Sequence, residues 1–367
     1  MTPKVSTGFA RRLLVTVAAI AFAPVAFIQS SGAQVTANQT FFELNNPIDP
    51  MFNQLLGIND QQIIVGYYGD GMIVPNHGYV LVPKNHYSVE DFTNLPAGDL
   101  ASQTQAIGIN NNTTTTNATT NPPVVTVHLP DIVGFYTDGA TTFTHGFLDS
   151  NGIQSTLDDP AGSPPNVAQP VQNLLGINNA AKAAGFWTDN NGHEHGFIVE
   201  INTQSPATST TLFREIPPAT FGANAVATQA SGINNNSQLH PGEGDLVCGF
   251  WTDTQNNNHG FTVFLGQQGF QQFNPLTLPV AATSVFPFGC NDQGRVVGSF
   301  TDNQGNTHGF IFDTTDFHIY DAQGSSQTPA FGVKGTFING VNNNGAIVGI
   351  FSDGENVNGF VDFAPVQ

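Results

Sequence analysis

Positive charge is what this chain has least of. Only 10% of its 367 residues are charged, and eight Lys and Arg face 27 Asp and Glu, where a typical soluble chain is about a quarter charged. Lys4, Arg11 and Arg12 take three of the eight, so five serve everything after residue 12. That balance excludes a nucleic-acid binder, which needs a basic footprint, and docking on anionic lipid. Apolar runs are absent beyond residue 28, so no later segment reads as a membrane span. No stretch after the first 33 residues sustains a 3.6-residue period, and no helix is expected there. Also missing are a Gly-x-Ser-x-Gly elbow, a phosphate loop, a dinucleotide fingerprint and a Cys-x-x-Cys pair. Apolar residues are not missing. They make up 39% of the chain, with 30 Phe, enough to fill a core.

The N-terminus reads as an export signal over residues 1–33. Three basic residues precede an apolar run from Leu13 to Ile28, broken only by Thr16 and Pro24. Ser31-Gly32-Ala33 then offers the small-x-small pattern a signal peptidase accepts. The run is short for a ~30 Å hydrocarbon core. The mature chain, residues 34–367, is expected to be secreted or periplasmic.

That mature chain repeats itself six times. Gly-Ile-Asn begins at Gly57, Gly108, Gly176 and Gly232, with the variants Gly289-Cys290-Asn291 and Gly340-Val341-Asn342. The spacing is about 57 residues. After each comes a second signature, such as Val65-Gly66-Tyr67-Tyr68-Gly69-Asp70 and Ala184-Gly185-Phe186-Trp187-Thr188-Asp189. A third follows its Asp, as His77-Gly78-Tyr79, His145-Gly146-Phe147, His195-Gly196-Phe197, His259-Gly260-Phe261, His308-Gly309-Phe310 and Asn358-Gly359-Phe360. Gly, the second aromatic and Asp alternate at period two and share one strand face. Asn191-Gly192 and Asp353-Gly354 mark tight hairpins between the second and third strands. Weaker fourth strands are expected at 153–157, 270–273 and 317–320.

Six repeats of four antiparallel strands predict an all-β, six-bladed β-propeller forming a single domain. A β-solenoid is the rival, with shorter coils and no paired hairpins. The chain ends argue for closure. The last repeat stops after its third strand at Phe360-Val361-Asp362-Phe363, and Phe41-Phe42-Glu43-Leu44 is a fourth strand with no blade of its own. The N-terminal strand is therefore expected to complete the last blade and remove the sheet edge, with Phe42 and Leu44 entering the core. Insertions are expected between first and second strands at 111–129 and 235–246, and a long loop at 158–172.

On these three motifs the chain resembles bacterial extracellular repeat proteins of the HAF family, over about residues 41–363. The resemblance implies export and a repeat fold, and no known reaction. Asn358, Cys290 and Ser299 depart from the pattern. The Asn/Gly-rich turns are also similar to integrin-type calcium loops, but with Asn where such loops need carboxylates.

The repeated Asp and His are the first candidates for chemistry. A ring of imidazoles can hold a metal. The plainer reading pairs Asp70 with His77, Asp138 with His145, Asp189 with His195, Asp253 with His259 and Asp302 with His308, as hydrogen bonds tying each hairpin. Off-template residues are better candidates for function, because the fold does not require them. His240, Glu243 and Asp245 crowd one insertion and can form a metal or acid/base site, with a divalent cation as its cofactor; the alternative is a solvated acidic loop. Asp158-Asp159 reads as a turn before Pro160, though paired carboxylates also serve glycosidic chemistry. Cys248 and Cys290 are either a bridge between neighbouring blades or two buried thiols. Together these readings predict a monomeric binding or scaffold module for an extracellular carbohydrate or protein. The alternative is a hydrolase or lyase acting on a polysaccharide at the mouth of the central channel.

Overall fold

The computed structural model describes residues 40–84, 87–88, 92–94, 101–111, 113–117, 124–201, 211–235, 242, 244–313 and 316–365. The export segment lies outside them. Six antiparallel sheets follow one another along the chain in a propeller arrangement. The first blade comprises Asn53–Ile58, Ile64–Tyr68, His77–Leu81 and Phe92–Asn94. The second comprises Ala101–Ile109, Ile132–Asp138, Thr144–Ser150 and Ile153–Thr156, and the third Gln172–Ile177, Lys182–Thr188, Glu194–Glu200 and Leu212–Ile216. The fourth starts with Ala225–Ile233, Asp245–Asp253 and Asn258–Gly266, and the fifth holds Ala282–Cys290, Val296–Asp302, Thr307–Phe312 and Phe317–Tyr320. The sixth has Thr336–Val341, Ile347–Ser352 and Val357–Asp362, and Phe41–Glu43 supplies its outer strand.

The seam is as expected. Phe41 pairs with Asp362, Phe42 with Val361 and Glu43 with Phe360. Leu44 is buried with Leu55, Tyr79 and Val361, and Phe42 packs on the same cluster. Phe41 turns the other way and stacks on Phe360 at 5.6 Å. Both faces of a blade thus meet a neighbouring blade, and the core is a set of interblade layers rather than one interior.

Two local expectations need correction. The fourth strand at 270–273 is split into Gly269–Phe270 and Asn274–Pro275, both paired with Asn258–Gly266. Between the pieces, Phe273 packs on Phe221 and Phe261, at 5.1 and 5.5 Å. Two single 3-10 turns, Pro160–Gly162 and Pro218–Phe221, stand where no helix was expected. Each begins at a Pro, whose fixed φ suits a first helical position and whose missing N–H is no loss there.

The repeated glycines have separate causes. Each first strand carries a bulge ending at the Gly-Ile-Asn glycine. A Cβ on Gly108 would lie 2.8 Å from the Gly176 Cα, and one on Gly232 would lie 3.2 Å from the Gly289 Cα, so the innermost strands touch backbone to backbone. A Cβ on the second-strand glycine would strike the first-strand carbonyl, at 2.0 Å from Gln54 for Gly66 and from Phe286 for Gly298.

Candidate functional site

The connections define two rims. First strands turn into second strands at one end, the turn rim, and the second-to-third hairpins lie at the other, the hairpin rim.

At the turn rim the Asn of each Gly-Ile-Asn motif works twice. Its side-chain oxygen accepts backbone N–H groups of its own turn, as Asn178 Oδ1 does from Ala180 and Lys182. Its amide donates to the next blade. Asn59 Nδ2 bonds the Asn110 carbonyl, and Asn110 bonds Asn178, Asn178 Asn234, Asn234 Asn291, Asn291 Asn342 and Asn342 Asn59, at 2.9–3.3 Å. These six side chains are buried. The circle closes.

A second circle sits on the first, made by the following residue. The backbone N–H of Asp60 donates to Asn111 Oδ1, and the pattern continues through Asn179, Asn235, Asp292 and Asn343 back to Asp60. Asn343 Nδ2 bridges both carboxylates, at 2.9 Å from Asp60 Oδ2 and 2.8 Å from Asp292 Oδ2. Asp60 Oδ2 also accepts from Asn111, and Asp292 Oδ2 from Asn235. An amide donor therefore stands between the two carboxylates, where a cation would have to sit. The belt encloses an axial cavity of about 70 Å³, lined deeper by Ile58, Ile109, Ile177, Ile233, Cys290 and Val341.

Sequence reasoning missed this belt because it took Gly-Ile-Asn as a signature only. The signal was present: the residue after each motif is always Asn or Asp.

The two insertions leave from this same rim. Asn110 Oδ1 accepts from the Asp131 N–H at 2.6 Å, and Asn234 Oδ1 from the Leu246 N–H at 2.7 Å. Each turn is thus closed across its insertion as though the insertion were not there. The first insertion carries a hairpin pairing Thr113–Asn117 with Val124–His128.

Of the proposed off-template trio, His240 and Glu243 lie outside the described residues. Asp245 is buried, with Oδ2 2.7 Å from Lys182 Nζ, so it joins blade four to blade three.

At the hairpin rim the repeated Asp and His are arranged differently from the expectation. The Asp accepts backbone N–H groups of its own turn: Asp189 from Asn191 and His193, Asp302 from Gln304 and Asn306, and Asp70 from Met72, Ile73 and Val74. Burial would raise these carboxyls, but the turn's hydrogen bonds hold them below the usual carboxylate range. His259 does bond its Asp253, at 3.0 Å. Asp189 and Asp302 stay 3.6 and 3.7 Å from His195 and His308, too long for the bonds expected there. The other ring nitrogen of these histidines takes a carboxylate from the outer strand or just beyond it. His195 meets Glu215 at 2.8 Å, His308 Asp321 at 2.9 Å and His145 Asp158 at 2.6 Å. In blade six Asn358 replaces His, donating to Asp353 and accepting from Asn45. The repeat histidines His77, His145, His195, His259 and His308 also lie against the second-strand aromatic, closest for Trp187–His195 and Trp251–His259, both at 4.1 Å. The His77 ring is tilted against Tyr68 at 5.1 Å, and His145, beside Asp138 across the hairpin, stacks on Tyr136 at 5.2 Å.

Asp158 and Asp159 do separate structural work, since Asp159 caps the turn at Pro160–Gly162. Glu194 is the outlier of this rim. Burial pushes its carboxyl up to about 7, against one side-chain donor, Gln229 at 2.5 Å. Among the described residues no three His, Cys, Asp or Glu side chains converge to hold a metal, and no helix is long and apolar enough to cross a membrane.

No protein-family model matches the chain, and no curated protein does. Solved structures do. An arginine triple mutant of AofleA from Arthrobotrys oligospora is 11% identical, with a TM-score of 0.41 over 74% of this chain and 72% of that one. A mutant of Aleuria aurantia lectin AAL in complex with Fucα1-6GlcNAc is 8% identical, with a TM-score of 0.41 over 72% of this chain and 76% of that one. A neuraminidase-like protein of A/flat-faced bat/Peru is 8% identical, with a TM-score of 0.44 over 89% of this chain and 94% of that one.

Proposed function

We propose that this chain is an exported binding module, taking an uncharged or cationic extracellular ligand, carbohydrate or protein, on its turn rim. The observation that carries the reading is the closure of the turns at Asn110 and Asn234 across their insertions. The fold needs neither insertion, and surface segments that a scaffold does not need are where recognition is built. The belt on the same rim is a floor of paired amides, so a ligand meets polar groups that lose little freedom on binding. Charge narrows the ligand. Lys182, Arg214 and Arg295 are each in an ion pair, and Lys334 donates to the Gly305 carbonyl. With the carboxylates in such excess, an anionic polysaccharide is repelled. The alternative, a polysaccharide hydrolase or lyase at the channel mouth, has less support. The axial cavity is about 70 Å³, against the ~300 Å³ or more of small-molecule sites.

The test is a panel of neutral and anionic glycans, with the full chain compared with variants lacking residues 112–130 or 236–244. Binding to neutral members that is lost on deletion, with melting unchanged, is the expected result. Preference for anionic members, or binding indifferent to both deletions, would overturn the reading.

A further inference from the structure

One contact recurs at every blade interface. The residue before the second-strand glycine packs in the same cluster as the residue after the first-strand glycine of the next blade. The pairs are Val65 with Ile109, Val133 with Ile177, Ala184 with Ile233, Val297 with Val341 and Val348 with Ile58. Between blades four and five the same two positions hold Cys248 and Cys290. These are the two cysteines of the chain, and they occupy both ends of one contact.

The backbones there are as close as side chains allow. Gly232, in register with Cys248, has no room for a Cβ, which would lie 2.9 Å from Cys248 Sγ and 3.2 Å from the Gly289 Cα. Cys290 Sγ also donates to the Leu246 carbonyl, two residues before Cys248, at 3.5 Å. Both are free thiols, with Cys248 fully buried and Cys290 half-buried. The hydrogen bond with the Cys248 thiol, and then burial, push the Cys290 thiol well up. At rest both sulfurs are therefore protonated thiols rather than metal-binding thiolates, and exchange proceeds through the small thiolate fraction of Cys290.

We propose that Cys248 and Cys290 form a disulfide that staples blade four to blade five in an oxidising milieu. Two S–H bonds break and one S–S bond forms. The two protons and two electrons pass to the disulfide of the oxidant, oxidised glutathione or a thiol–disulfide oxidoreductase, which leaves as two thiols. Cys290 is the point of entry, because it lines the axial cavity at the turn rim. Cys248, shielded inside, resolves the mixed disulfide.

The experiment refolds the full chain in oxidised glutathione and, separately, in dithiothreitol. Thiols are then counted by alkylation under denaturant with intact mass. No alkylated thiol is expected from the first sample and two from the second, with Tm lower by roughly 5 °C on reduction. Cys248→Val with Cys290→Ile, the residues other interfaces use, is expected to fold with a Tm indifferent to reductant. Two alkylated thiols from the oxidised sample, a lasting glutathione adduct, or a parent Tm unmoved by reduction would each overturn the proposal.

Discussion

Glu194 is half-buried with one side-chain donor, the Gln229 amide, so desolvation outweighs the support its charge receives. Its folded value of about 7 lies above the ordinary 4.5, so the folded chain holds a proton that the unfolded chain has released between those limits. Stability must fall as pH rises from 4.5 through 7. His145 adds to this above its ordinary 6.5. The Asp158 hydrogen bond raises its pKa, so its stabilisation is complete below about 6.5 and lost as pH rises through the folded value. The turn aspartates act at the other end. Their depressed carboxyls stabilise above the ordinary 3.8 and stop doing so as pH falls through the folded values. Glu194→Gln keeps the oxygen that Gln229 binds and removes the ionisation. It should stabilise the chain by ~2 kcal/mol at pH 8 and by little at pH 5. Urea midpoints of parent and variant at the two pH values check this; an equal gain at both would show that ionisation is not the cause.

At the scale of the strand, the repeat is a bulge with its glycines. The first strand bulges before its glycine so that its inner edge can meet the next blade, and the second strand must then pass under a carbonyl. Gly298 has a negative φ, so space alone demands the glycine: an added Cβ would lie 2.0 Å from the Phe286 oxygen and 2.8 Å from the Phe310 ring. Gly298→Ala should cost about 3 kcal/mol or more, through strain and loss of the ladder. Gly152→Ala is the control for a turn glycine, with positive φ and nothing within 4 Å; it should cost ~1 kcal/mol. Chemical denaturation of both variants reads the difference. If Gly298→Ala proves the milder change, the backbone crowding assigned to the blade centre is wrong.

Closure operates on the whole molecule. The outer strand Phe41–Glu43 pairs with the far end of the chain, and two circles of amide hydrogen bonds run through all six turns. Joining distant segments has an entropy cost that grows only with the logarithm of length, roughly 0.6 kcal/mol per doubling. The buried Leu44 and the Phe41–Phe360 stack offset it. Removing residues 40–48 leaves Val357–Asp362 as an open edge. The truncated chain should aggregate, and its unfolding should lose cooperativity and begin at lower temperature. Calorimetry with light scattering follows both. Unchanged melting would mean that the ring holds without its seam.

The sequence alone carried the repeat, the strand order, the outer strand at the N-terminus and the hairpin turns, because those depend on neighbours a few residues apart: period two, Asn-Gly pairs and glycines at fixed offsets. It placed Asp189 and His195 in one hairpin, where Trp187 is the residue opposite His195. It could not show that the Asp would bond its own turn while Glu215, from the next strand, took the ring nitrogen, since that choice depends on which acceptor arrives at the right distance. The amide belt was hidden for the same reason. Asn59 and Asn110 are 51 residues apart, and nothing local distinguishes an Asn that caps a turn from one that also bonds the next blade. Packing decided it, by bringing the glycines into backbone contact and leaving each Asn amide one carbonyl within reach.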